Sequence, residues 1–152
     1  MTITRTDAEA LLIDRADAFM ALVEMDSTTT DGTNEDLNGP ILFALLALGH
    51  TAVENLQNVS DTDLEAVAED EVVAFLDLAE YRLLDTILNK YDDVDIQVGT
   101  RTQKYHQLAD RMEEKLRRIG DTIENVHGIG LGSLEFGVIN LSFATHGDDT
   151  VV

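Results

Sequence analysis

The sequence predicts an all-α fold, a helical bundle of about four main helices, with a C-terminal β-strand arm. Three observations predict it. Apolar residues recur at three- and four-residue spacing in several separate stretches. Loop-forming residues and the single proline separate those stretches. After residue 127 the chain passes through glycines into a run of strand formers. The expected division is a helical bundle domain over 1–127, a glycine hinge over 128–133 and a strand arm with tail over 134–152.

The first helix is expected over 7–25. Thr6 and Glu9 have capping-box spacing, and Leu12, Ala16, Phe19, Met20 and Val23 form one apolar stripe. Residues 26–36 are rich in Ser, Thr, Asp, Asn and Gly and read as a loop. Pro40 suits the first turn of a second helix, and Gly49 suits its stop. That helix is apolar nearly all round, which predicts a central position. A further helical piece is expected over 51–57. Ser60 or Asp61 then caps a long helix that starts at Asp63 or Asp70 and ends at Tyr91. Val72, Phe75, Leu76, Ala79, Leu83, Ile87 and Leu88 mark its buried face, with Asp77, Glu80, Arg82 and Asp85 turned away.

Residues 92–99 read as a turn followed by a short extended piece ending in glycine. The next helix, over 102–126, has the clearest pattern. Tyr105, Leu108, Met112, Leu116, Ile119, Ile123 and Val126 keep strict three-four spacing. Glu113 with Arg117, and Glu114 with Arg118, are i,i+4 pairs in the favoured orientation. Gly120 is a candidate kink or stop, with Asp121 and Glu124 placed to cap a short extra turn. Gly128, Gly130 and Gly132 form the expected hinge. Leu134, Phe136 and Val138, then Ile139, Leu141 and Phe143, carry the apolar side of the arm, which changes face midway. A lone strand cannot satisfy its own backbone hydrogen bonds. Within this chain only the piece near 94–98 could pair with it, so the arm points to another chain.

Thirty acidic residues face ten basic ones, a net charge of −20 with only three lysines among 152 residues. At low salt such a chain repels itself. In molar salt the screening length falls to about 3 Å and the repulsion largely disappears. The acid is spread along the whole chain, which points to life in very salty water ahead of an acidic patch aimed at one partner. It also argues against direct binding to nucleic-acid backbone, which needs clustered Lys and Arg. The longest apolar run, Ile41 to Leu48, is too short to span a bilayer. The first residues lack the basic start and apolar stretch of a signal peptide. With no cysteine, thiol catalysis, disulfides and thiolate metal sites are excluded.

No motif reads as an active site. Glu124 and His127 have the Glu-x-x-His spacing of a di-iron bundle, but that site needs two such motifs and two more Glu. His127 reads instead as a helix-terminal histidine, favourable for the dipole. Asp92, Asp93 and Asp95 resemble the start of a calcium loop without its Gly and Glu, and read as a solvated turn. The Gly128-x-Gly130-x-Gly132 run follows a helix, so it is not a dinucleotide fingerprint. No nucleophile motif surrounds any Ser. No catalytic residue, cofactor or metal ligand is assigned, and the chain is not expected to be an enzyme.

One resemblance adds to this. The segments Phe75 to Asn89, Val94 to Arg101 and Phe136 to Phe143, in this order, resemble the head–tail connector (adaptor) proteins of tailed phages and tailed archaeal viruses. The similarity covers roughly residues 75–143. It implies a subunit of a homo-oligomeric ring, usually twelvefold, that joins a portal protein to a tail or neck protein in the virion. DNA would pass through the ring without sequence-specific binding, no membrane would be involved, and assembly would take place in the host cytoplasm. It further implies a C-terminal arm laid on the portal or on a neighbouring subunit. The salt-adapted composition would place the host among halophilic archaea. A cellular interaction or regulatory protein of such an organism, oligomerising through the same strand, is the alternative.

Overall fold

The computed structural model describes residues 2–95 and 102–131. Among them are five α-helices and no strand: α1 (Arg5–Leu22), α2 (Asn38–Ala47), α3 (Asp61–Leu64), α4 (Val72–Asp95) and α5 (Thr102–Asn125). A 3₁₀ turn, Glu69–Glu71, leads into α4. The architecture is mainly helical and bundle-like, as expected. The arm residues Leu134, Phe136, Val138, Ile139, Leu141 and Phe143, the last hinge glycine Gly132 and the part of the expected 94–98 extended piece from residue 96 on lie outside the described residues.

The centre is α4, not α2. Helices α1, α2 and α5 all pack on α4. The expected stripe of α4 holds, with Phe75, Leu76, Ala79, Leu83 and Ile87 buried, but Ala74, Leu78, Leu84 and Tyr91 are buried as well. Leu84 and Tyr91 extend the stripe, and Ala74 and Leu78 widen it toward a second side, which is what a helix with several neighbours requires. Each fully buried Leu or Ile here contributes roughly 1.5–3 kcal/mol of transfer free energy. By contrast α2 buries Ile41, Ala44 and Leu45 on one side, while Leu46 on the other is exposed. Its apolar composition outruns its burial.

The helix ends correct several expectations. Helix α1 is capped by Thr4 and Asp7: the Thr4 hydroxyl accepts from the Asp7 N–H at 3.1 Å, and Asp7 accepts from the Thr4 N–H at 3.3 Å. The Thr6 and Glu9 box does not form, because Glu9 turns inward to Arg5. The helix stops at Leu22, three residues early, where the Met25 N–H closes onto the Met20 carbonyl. Pro40 sits in the first turn of α2, and Gly49 follows its end.

Residues 51–57 are not helical. Side chains hold their backbone groups in other directions: Asp63 accepts from the Glu54 N–H, Asn38 donates to the Leu56 carbonyl, and Asn55 accepts from the Gln57 N–H. Asp, Asn and Ser compete with the helix for backbone partners in this way. Ser60 caps a helix, as expected, but only the short α3. At the far end of α4, residues 92–95 continue the helix instead of forming a turn.

Helix α5 follows its sequence pattern through Met112 and Ile123, both fully buried. Two details differ. Val126 lies past the helix end and is 74% exposed, so it is not part of the buried stripe. Gly120 does not stop the helix, so Asp121 and Glu124 lie within α5 and cap no extra turn. Tyr81 and Leu131 press against the helix here. A Cβ at 120 would meet atoms of both at 3.4 Å. The glycine answers a close approach, not a break.

Candidate interaction surface

Two polar clusters and one groove organise the molecule's functional candidates. The first cluster lies at the start of α1. Arg5 and Glu9 are buried, 3% and 0% exposed, and pair at 2.8 Å. Arg5 also donates to the Asn34 carbonyl at 2.8 Å and to the Asn38 side chain at 3.0 Å. Glu9 accepts from the Gly32 and Asn34 N–H groups at 2.8 and 3.0 Å. Asn34 in turn donates to the Asp26 and Thr29 carbonyls. This single ion pair therefore fixes the loop over 26–36. Within that loop the hydroxyl of Thr29 and the amides of Thr28 and Thr29 hold the Asp26 carboxyl far below the ordinary carboxylate range. Thr33 lowers Asp31 in the same way.

The second cluster joins α1, α4 and α5. Glu80 is only 4% exposed, although its position on α4 predicted a solvent-facing residue. It accepts from Arg15 of α1 at 2.9 Å and from Lys115 of α5 at 2.8 Å. Arg15 reaches Asp77 at 3.2 Å, and the other oxygen of Asp77 meets His127 at 2.8 Å. Asp77 and Glu80 are three residues apart on α4, so they share a face and one arginine bridges them. Burial works against the Arg15 charge, but Glu80 first and then Asp77 outweigh it and raise its pKa above the ordinary value. Each of the four carboxylate oxygens has a cationic or imidazole partner. The Lys115 ammonium also donates to the Arg15 carbonyl and lies 5.9 Å from the centre of the Phe19 ring.

His127 is the helix-terminal histidine the sequence predicts, and its partner Asp77 was not foreseen. It ties the end of α5 to α4. Gly128 follows with a φ of +69°, a conformation open to glycine and strained for most other residues. The Ile129 N–H then returns to the Ile123 carbonyl at 3.1 Å, Ile129 packs against the core, and Leu131 is buried. Gly128 and Gly130, two of the expected hinge positions, thus lie in a stretch that folds back on the bundle.

Between α4 and α5 this fold-back leaves a groove of about 380 Å³. Tyr81, Leu116, Gly120 and Leu131 line it on the apolar side, and Glu113, Arg117, Asp121 and Glu124 line it on the polar side. Among the described residues no group of three or more His, Asp or Glu is placed to hold a metal ion. None of the described helices is long and apolar enough to cross a membrane. No family model, no curated protein and no solved structure matches the chain.

Proposed function

We propose that this chain is a structural virion protein of a virus infecting a halophilic archaeon: an adaptor subunit whose homo-oligomeric ring joins the portal to the tail. One observation carries the reading. The helical body is closed by its own turn at 128–131, and the strand-forming run of Leu134 to Phe143 comes after that closure in the sequence. The described body also offers that run no strand to pair with. An appended strand with backbone groups to satisfy is a joining device, and main-chain pairing with another chain is the ordinary way to use one. The resemblance in residues 75–143 supplies the kind of assembly. The spread of acid supplies the salt, and a negative ring wall would repel the phosphates of passing DNA.

The ion-pair cluster on α4 supports a structural role. A proton-transfer site needs a carboxylate or imidazole within reach of substrate, and here the oxygens of Asp77 and Glu80 are taken by other side chains.

The test is sedimentation from the native source in molar salt, with the full chain beside a chain ending at Gly132. That cut spares Ile129 and Leu131, which a deletion from Gly128 onward would remove from the packed body. The full chain is expected in DNA-containing particles with a portal-like protein, and the shortened chain in the light fractions. A full chain that runs as a monomer or dimer while tailed particles sediment without it would overturn the viral reading, leaving the cellular interaction protein in its place. A shortened chain that assembles normally would remove the arm from the interface.

A further inference from the structure

We infer that the groove between α4 and α5 is a seat for the chain's own arm, filled by Leu134 and Phe136 of the same molecule before any partner is met. This goes beyond the ring reading and does not depend on it. The groove has an apolar floor made by Leu116, Gly120, Tyr81 and Leu131. Gly120 keeps that floor low, since a side chain there would fill the space in which Tyr81 and Leu131 meet the helix. Leu131 is both a wall of the groove and the last described residue. The arm therefore begins inside the site it would occupy.

The dimensions agree. Leu134 follows Leu131 by three residues, a reach of at most about 11 Å. Leu116 and Gly120 are four residues apart on a helix, about 6 Å along its axis. Leu134 and Phe136 are two residues apart, about 7 Å in an extended chain, and they point to the same side. In that seat an extended chain would turn Glu135, between them, away from the groove and from Glu113, Asp121 and Glu124 on its rim. The short tether gives the arm a local concentration in the millimolar range, which a separate copy at ordinary protein concentrations does not match. Seating these two side chains also removes apolar surface from water, where an exposed apolar patch invites aggregation.

The chain has no cysteine, so one nitroxide label can be placed cleanly. The full-length Asn140→Cys variant, labelled there, is examined by NMR at molar salt. The expected result is broadening of the Leu116 methyl signals and the Gly120 amide, independent of protein concentration. A further Phe136→Ser substitution should reduce it to the weaker level that a free tether of nine residues from Leu131, with a reach of roughly 17 Å, gives. Broadening that instead appears when spin-labelled chains are mixed with isotope-labelled chains lacking the nitroxide would assign the groove to a second copy and overturn the inference. So would an absence of broadening, or broadening that Phe136→Ser leaves unchanged. Failure here leaves the ring reading intact, and failure of the shortened chain's sedimentation test leaves this one intact.

Discussion

The two polar clusters solve opposite problems. At the start of α1, one buried ion pair is wrapped in backbone: Glu9 accepts from two loop N–H groups, and Arg5 donates to two carbonyls. At the junction of α1, α4 and α5, charges meet mostly other charges, and Arg15 and Lys115 keep about a third of their side chains in water. The first arrangement tolerates no movement, since any shift leaves a buried charge or amide unpaired. The second can loosen by degrees, because water stands ready to replace each lost partner. The loop end is a lock. The junction is an adjustable seam, and His127 ties the end of α5 into it.

The largest test of this contrast is Glu9→Ala. It strands the Arg5 guanidinium and leaves the Gly32 and Asn34 N–H groups without an acceptor. Removing one partner of a buried pair costs about 3–5 kcal/mol. Urea unfolding at constant molar salt should show the midpoint fall with the slope unchanged. A loss no greater than that of a surface substitution would show that the lock is not a lock.

Glu80→Ala comes next. It takes the carboxylate from Lys115 and one of two from Arg15, which keeps Asp77, and both cations remain partly hydrated, so a loss of roughly 2 kcal/mol is expected. The same urea series gives the value, and repeating it at lower salt sharpens the comparison. The Glu80 contribution should grow as salt is withdrawn, while the Glu9 contribution, shielded by burial, should stay nearly constant. Equal salt dependence at both sites would erase the distinction between lock and seam.

Sequence reasoning reached one cluster no better than the other, for different reasons. Arg5 and Glu9 stand at i,i+4, which is visible in the sequence, but so do Glu114 and Arg118, an exposed pair. What buries the first pair is a loop some 25 residues further along the chain, and spacing along one helix carries no information about it. Glu80 fell on the polar side of a single-stripe reading of α4. It is buried because α4 has neighbours on more than one side, and its charge is met by residues 65 and 35 positions away. Where burial is decided by one helix face, as at Met112 and Ile123 of α5, the pattern sufficed. The groove was illegible in full, since Gly120 read alone is a helix breaker and becomes a floor only once Tyr81 and Leu131 are seen against it.

The smallest effect separates hydrogen bonding from charge as the source of order in the loop. The carboxyls of Asp26 and Asp31 are held below the ordinary carboxylate range by threonine hydroxyls and amides. A carboxyl lowered on folding stabilises the fold above its unfolded pKa, and that contribution is lost as pH falls through its lower folded value. The amides of Thr28, Thr29 and Thr33 should therefore keep their shifts through about pH 4, where an unpaired carboxyl is half protonated, and lose them only at lower pH, read by NMR. Glu114 is also lowered, but by the exposed Arg118 beside it. The Arg118 side chain acts on Glu114 through a hydrogen bond and through its charge, and salt screens the charge part, whereas the neutral hydroxyls and amides around Asp26 offer salt no charge to screen. Raising the salt to molar strength should move Glu114 back toward the ordinary carboxylate range and leave Asp26 where it is. If both return together, the loop is ordered by the surrounding charge field, and the amino end of the molecule works by the same physics as the seam.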